Sequence, residues 1–333
     1  MNFVYHKMKI PNKDLEVSKL GMGCWAIGGH FSLDGKADGW GYVDDHESIQ
    51  AIHTALDMGV NFFDTADVYG TGHSEEILAK ALKGKRDEVI LATKFGFTYD
   101  SSTKTVSSTN VTPSYIRWAC EESLKRLQTD HIDLYQLHCY PEENEMQPML
   151  DFLDTLVQEG KILSYGPSTD SISIAQEFAK RPNTVSIQFR LNVLSRNPSI
   201  QSLCKEKEIF GINRTPLAHG LLSGKFNSNS VISKDDFRGA GHEWVEYFEE
   251  GRPKESFLQM IEDIKDVLTG GGRSLVQGAL AWIWAESPLN TPITGFKTVD
   301  QVKENSKALE YGPLAHADYL QIESIIESSK NNL

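Results

Sequence analysis

Short β-branched or aromatic runs alternate along the chain with longer stretches of helical period. The runs occupy residues 19–23, 61–64, 89–94, 131–138, 164–168, 185–189, 211–216 and 291–295. Each is brief, nearly continuous and bounded by turn-forming residues, the pattern of strands buried on both faces. Between them the period changes. Met149, Phe152, Leu153, Leu156 and Val157 recur at i, i+3, i+4, i+7 and i+8, which predicts a helix with one buried stripe. Thr112 followed by Pro113 predicts an N-cap and a first-turn proline, opening a helix that runs through Leu127. Ser74 before Glu75 and Glu76 predicts the cap of a helix ending near Gly84.

Strands that alternate with helices at this spacing must run parallel, and eight such units predict a single (β/α)8 TIM barrel across residues 1–333. The interval before the last strand is much longer than the others. It contains residues 225–256, polar and rich in Gly, Asn and Ser, which are read as a long loop at the C-terminal face, a lid after strand seven. An extra helix over 257–268 and a barrel helix from Arg273 then follow.

The ends of the second, third and fourth strands carry Asp64, Lys94 and His138. In a parallel barrel these ends lie side by side on the face where active sites form. Each residue alone has an ordinary explanation as a cap, a surface lysine or a hydrogen-bonded histidine. Together, with Tyr69 on the loop after Asp64, they suit proton donation. An ammonium beside a phenol favours the phenolate, so Lys94 is expected to lower the pKa of Tyr69, while Asp64 keeps the ammonium charged and aimed. A histidine N–H orients a substrate carbonyl oxygen. General-acid catalysis of this kind is worth about 10² to 10⁴ in rate. It puts a proton on oxygen, so something else must deliver the hydride. GMGCWA at residues 21–26 formally fits a dinucleotide-binding glycine pattern, but Ile27, Gly28, Gly29 and His30 follow where that motif needs a helix to begin.

Composition narrows the classes. The chain is 40% hydrophobic and 24% charged, with a net charge of −13, and lacks the basic face of a nucleic-acid binder. Its first residues lack the apolar core of a signal peptide, and the longest apolar run, near 279–285, is too short for a bilayer. Cys24, Cys120, Cys139 and Cys204 fall at irregular spacing with no metal-binding pair, as expected of reduced thiols in a cytoplasmic protein. The expected partner is a small molecule, with no metal, no nucleic acid and no membrane; the sequence leaves monomer and homo-oligomer open. A glycosidase would need two facing carboxylates, and the strand ends offer one acid and a lysine.

The motifs GVNFFDTADVYG, SEEILAKAL, ILATKFG, SLKRLQTDHIDLYQLH and TPLAHGLLSGKF resemble the aldo-keto reductases, over about residues 15 to 312. The resemblance implies a (β/α)8 barrel that uses NADPH, or less often NADH, to reduce aldehydes or ketones. It implies Tyr69 as general acid, Lys94 and Asp64 as its tuning pair, and His138 as the group orienting the carbonyl. Gly23, Cys24 and Trp25, with Asp64, would lie beside the cofactor, and Ser168 and Gln188 on the nicotinamide carboxamide. Thr215, Pro216, Leu217, Gly220, Leu222, Gly224 and Lys225 would cover the pyrophosphate. Gly295, Lys297, Thr298, Gln301, Glu304 and Asn305 match the segment that holds the adenosine and its 2′-phosphate. Three positions depart from the common pattern: Ser168-Thr169 replaces Ser-Asn, Arg214 replaces an aromatic that stacks on the nicotinamide, and Gln301 replaces an arginine. The expected substrate pocket comprises Trp25, Phe31, Tyr69, His138 and Tyr140. His30, Trp40, Tyr42, Trp244, Tyr247 and Phe248 are further aromatic candidates from the loops. The alternative within the same fold is a cofactor-binding regulatory or redox-sensing subunit with slow turnover.

Overall fold

Eight parallel strands form the centre of the computed structural model, which describes residues 7–10 and 15–330. They are β1 (Gly21–Gly23), β2 (Phe62–Asp64), β3 (Ile90–Phe95), β4 (Leu134–Leu137), β5 (Tyr165–Pro167), β6 (Ser186–Arg190), β7 (Phe210–Arg214) and β8 (Asn290–Gly295). Consecutive strands pair in parallel from β1 to β5 and from β6 through β8 back to β1. The bridges Tyr165↔Thr184 and Ser168↔Gln188 close the ring between β5 and β6. The fold is the (β/α)8 barrel that the alternation predicts.

Around it lie α1 (Asp45–Asp57), α2 (His73–Ala81), α3 (Pro113–Leu127), α4 (Glu143–Gln158), α5 (Ile172–Ala179) and α6 (Pro198–Lys207). An extra helix, α7 (Glu255–Leu268), precedes the barrel helices α8 (Leu275–Glu286) and α9 (Val299–Tyr311), and α10 (His316–Lys330) ends the described chain. Burial explains the placement: β3 is buried along its whole length, and α4 buries Met149, Leu150, Leu153 and Leu156. At the N-terminal end of the barrel a hairpin, Lys7–Lys9 with Glu16–Ser18, brings Val17 and Ile10 against Phe62, Ile90, Leu134, Phe210 and Ile293. That end is plugged by apolar packing, and the polar strand ends face the other way. None of the described helices is long and apolar enough to cross a membrane.

Local expectations fare unevenly. Thr112 and Pro113 open α3 as predicted. Ser74 is not the cap of α2. The chain enters that helix through Gly72 in a left-handed conformation (φ 102°), and the Ser74 hydroxyl is recruited across the barrel, donating to Cys24 O and accepting from Thr65 Oγ1, each at 2.8 Å. Past a short 3-10 helix at Ala218–Ser223, the loop after strand seven lacks helix until α7, which begins at Glu255, and carries a small hairpin, Phe248–Glu249 with Arg252–Pro253. A four-stranded sheet at the C-terminal face has no counterpart in the sequence reading. It joins Ser32–Leu33 and Lys36–Ala37 from the β1–α1 connection to Phe97–Asp100 and Thr105–Thr109 from the β3–α3 connection.

Candidate active site

The barrel floor beneath the C-terminal mouth is built around one carboxylate. Asp64 ends β2 fully inside the ring, where an isolated charge would be costly. Every side of it is met by a donor. Lys94 Nζ, from β3, donates to Oδ1 at 2.5 Å; Gln136 Nε2, from β4, and Gln188 Nε2, from β6, donate to Oδ2 at 2.8 Å each. Gln188 Nε2 also reaches Gln136 Oε1 at 3.0 Å, and its own carbonyl accepts from Ser168 Oγ at 3.1 Å. Gln188, expected on the nicotinamide carboxamide, thus faces down onto Asp64 with its amide nitrogen. Gln136 went unnoticed in the sequence because a polar residue inside the run LYQL has no period that marks it.

Lys94 is buried and fully engaged, donating to Thr65 O at 2.8 Å and to Tyr69 Oη at 3.3 Å besides Asp64. Its ammonium lies 4.9 Å from the Tyr69 ring centroid. Burial works against its charge, yet Asp64 and Tyr69 outweigh that and raise its pKa, so the side chain stays cationic. The loop carrying Tyr69 is seated by backbone contact: a Cβ on Gly70 would lie 1.9 Å from Gly28 O, and one on Gly28 would lie 2.8 Å from Tyr69 C. The phenol differs from expectation. Burial raises its pKa more than Lys94 lowers it, with Asp64 adding to the rise. Tyr69 therefore keeps its proton across the ordinary pH range.

His138 follows β4, its backbone N–H bonded to Phe95 O at 2.8 Å. Its ring meets Tyr69 edge-on at 5.8 Å and Phe97 at 5.4 Å. Burial, then the charges of Lys94 and Arg214, hold its pKa well below the usual value, so the imidazole is neutral. Its Nδ1 is buried without a partner. Trp25 stacks toward Tyr69 at 6.1 Å and is itself covered by Phe237 at 4.5 Å and Trp244 at 6.1 Å, both from the segment after β7. Two members of the expected pocket are placed differently from the rest. Phe31 is buried in a small cluster with Ala66, Val68 and Val106, against which Trp25, Tyr69 and Phe97 pack. Tyr140 is 63% exposed. Trp40 packs on Trp25 at 5.6 Å, Tyr42 and His30 face solvent, and Tyr247 and Phe248 are buried within the covering segment.

The opposite wall carries charge. Arg190 and Arg214 are register partners at the ends of β6 and β7. Arg190 pairs with Glu246 at 2.5 Å and Arg214 with Asp170. Beyond Arg214 the backbone is strained: Thr215, Ala218 and His219 take left-handed φ of 58°, 48° and 54°. Asn192 pins this stretch by donating to Thr215 O and Tyr247 Oη, each at 2.9 Å. Strain held by surrounding bonds points to a functional segment. His219 Nδ1 and Arg190 Nε are buried here without partners. His219 is buried, and that burial, with the charges of Arg190, Arg214 and Arg238, keeps it neutral.

At the β8 end, Thr298 caps α9 by accepting from Gln301 N at 3.3 Å, and the Gln301 side-chain carbonyl accepts from Lys297 N at 2.7 Å. Gln301, which stands where the resemblance has an arginine, thus takes part in capping α9. Val299 N donates to the Glu47 carboxylate at 2.9 Å, showing that this helix N-terminus accepts an anion. Lys297 Nζ bonds the carbonyls of Trp40 and Tyr42. Asn305 Nδ2 reaches Gly295 O at 3.4 Å and steadies the strand end, and Glu304 meets Gln277 through its backbone carbonyl. Gly23 and Gly295 border the same mouth as register partners. Pro216, Leu217, Gly220, Leu222, Gly224 and Lys225 follow Arg214 along the rim, with Leu222 buried and Lys225 exposed. Cys24 is buried beside Asp64 and donates to Met22 O, and all four cysteines are free. The donor set, from Ser168 and the arginine wall to Lys297 and the α9 N-terminus, fits an elongated anionic cofactor with a neutral amide at one end. No group of His, Cys, Asp and Glu among the described residues could hold a metal ion.

The model of the aldo/keto reductase family matches residues 19–327. The chain is 32% identical to the aldo-keto reductase YhdN of Bacillus subtilis over 96% of its length and 93% of the relative's. It is 30% identical to the aldo-keto reductase yakc of Schizosaccharomyces pombe, named for NADP(+), over 91% and 88% of the two chains. Among solved structures it is similar to the glycerol dehydrogenase AKR11B4 of Gluconobacter oxydans, 29% identical, with a TM-score of 0.82 and coverage of 98% and 96%. With a closed barrel, a Tyr–Lys–Asp–His mouth and a family match over nearly its whole length, the chain belongs to the aldo/keto reductase family of oxidoreductases.

Proposed function

We propose that this protein reduces aldehydes or ketones to alcohols, taking hydride from NADPH and the proton from Tyr69. The observation that carries the reading is the contact of one buried ammonium with both partners of the proton donor: Lys94 Nζ touches Asp64 Oδ1 and Tyr69 Oη. A nicotinamide cofactor bound at this mouth would supply hydride to the carbonyl carbon. Tyr69 holds its proton at neutral pH, so it is in the donating form when a carbonyl arrives. As the O–H bond of the phenol breaks and the new O–H forms on the substrate, the phenolate left behind faces an ammonium already in place. That ammonium stabilises charge that exists only after proton transfer, which is where an interaction accelerates the step. His138, neutral, offers one ring N–H to the carbonyl oxygen and adds no cation that would compete for the proton.

NADPH is favoured over NADH by Lys297 and by the anion-accepting start of α9, and a relative at 30% identity is named for NADP(+). The segment after β7, through Phe237 and Trp244 on Trp25, serves as the cover over the cleft. Trp25, Phe97 and Trp244 make the walls apolar, which suits aromatic or unsaturated carbonyls better than free sugars. The test is a purified-protein screen of aldehydes and ketones with NADPH and NADH side by side. The reading expects steady cofactor oxidation, faster with NADPH and with apolar aldehydes. Cofactor binding without turnover on any carbonyl would replace it with the regulatory-subunit alternative.

A further inference from the structure

Oxidised and reduced nicotinamide cofactors are identical except at the ring, which is cationic when oxidised and neutral when reduced. A protein charge next to the ring therefore discriminates redox state, and charges elsewhere in the site act on both forms alike. Hydride and proton go to two bonded atoms of one carbonyl, so a bound ring would have to lie beside Tyr69 and His138, near the ends of β6 and β7, from which charge reaches those two residues. The cations there are Arg190 and Arg214, adjacent in register. The charge of Arg214 is felt at both Tyr69 and His138.

Neither arginine is left alone. Arg190 pairs with Glu246. Arg214 Nη2 pairs with Asp170 Oδ2, and the other oxygen of Asp170 accepts the backbone N–H of Arg190 at 2.9 Å. Asp170 follows directly on the β5–β6 closure, where Ser168 bridges Gln188 and Thr169 N donates to Gln188 O at 2.8 Å, so its carboxylate is fixed relative to the ring site. The side chains of Arg214 and Asp170 are 28% and 30% exposed, so water screens the pair only in part.

We propose that the Asp170–Arg214 pair sets the relative affinity for oxidised and reduced cofactor, with Asp170 neutralising a guanidinium that would otherwise repel the oxidised ring. The inference rests on the nicotinamide reading above. It makes Asp170 a positioning residue outside the Tyr–Lys–Asp–His set, and it accounts for an arginine and an aspartate standing at two loop ends that approach each other only in the closed barrel. The neutral pair tolerates both cofactor forms, as a site that binds one and releases the other requires.

The experiment titrates NADP+ and NADPH separately against the whole protein at low salt, following intrinsic tryptophan fluorescence, in wild type, Asp170→Asn, Arg214→Met and the double variant. Asparagine keeps an oxygen for Arg190 N–H and removes only the charge. Coulomb's law across a half-open cleft predicts that Asp170→Asn raises the ratio Kd(NADP+)/Kd(NADPH) roughly tenfold. Arg214→Met, which leaves the carboxylate unpaired, lowers it by about threefold, and the double variant returns within about twofold of wild type. A structural role alone would weaken both forms together and leave the ratio unchanged. An unchanged ratio in Asp170→Asn, or shifts of the same sign in both single variants, overturns the inference while the nicotinamide reading stands. Failure of the wild type to bind either form overturns both.

Discussion

Asp64 and Asp67 lie in one short stretch and both are almost fully buried, yet their surroundings are opposite. Asp64 sits on the barrel floor with an ammonium on one oxygen and two amide N–H groups on the other. Asp67 instead feels Glu75 on α2 and Arg126 on α3, and no side-chain donor meets either of its oxygens. Burial, reinforced by Glu75, raises its pKa well above the carboxylate range, against the pull of Arg126. Arg126 is already committed to Glu75 at 2.6 Å, and Glu75 also accepts from Thr93 Oγ1 at 2.6 Å. One carboxylate is thus met by an ammonium and two amides, and the other is made reluctant to ionise. The same residue type in the same short stretch does two different things because the barrel supplies donors inside and an already satisfied ion pair outside.

The contrast is broken most severely at Lys94. Replacing it by methionine leaves a buried anion with only amide donors, and removing one partner of such a pair costs about 3–5 kcal/mol. Urea denaturation of Lys94→Met is expected to show that loss, with turnover falling by about 10² or more. A variant as stable as wild type would mean the two glutamines alone suffice for Asp64. A smaller effect is expected from Gln136→Leu, which takes one donor from Asp64 Oδ2 and leaves Gln188: about 1–3 kcal/mol of stability in the same assay.

The pH dependence sharpens the contrast further. His219 is held neutral by burial and three arginines, so the stability it contributes is full above the ordinary histidine value and lost as pH falls below it. For Asp67 the sign is reversed: with its folded pKa raised, its contribution is full below the ordinary carboxylate value and lost as pH rises toward the folded one. Each amounts to at most about 1.4 kcal/mol per pH unit, and between pH 4 and 6.5 they oppose one another. Asp67→Asn is therefore expected to steepen the acid-side loss of stability while raising stability relative to wild type as pH rises from 4 to 7. His219→Phe, which keeps the aromatic contacts with Phe237 and Trp244, should flatten that loss. Midpoint temperatures recorded across that range separate the two; parallel curves for all three proteins would refute both assignments.

The barrel was legible because its strands are apolar runs that stop on polar residues, and Asp64, Lys94 and His138 stand at such stops. Where a side chain's partner comes from another strand, the pattern carried less. Gln136 is hidden inside an apolar run, Asp170 acquires meaning only from Arg214 across the ring closure, and Ser74 has cap chemistry but is drawn to Cys24 O instead. The four-stranded sheet at the mouth was missed because residues 97–109 are Ser- and Thr-rich and largely solvated, without the alternation that signals a half-buried strand. The expected lowering of the Tyr69 pKa failed for a related reason: a sequence shows the neighbouring ammonium but not the burial that outweighs it.

Exchanging Tyr69 for phenylalanine removes one oxygen atom and keeps the ring against Trp25 and His138. Single-turnover oxidation of bound NADPH by a good aldehyde substrate, with NADPH Kd measured alongside, reads the loss directly. The account predicts a rate lower by about 10² to 10⁴ with NADPH affinity within about twofold of wild type. A rate within about tenfold of wild type would contradict Tyr69 as the proton donor.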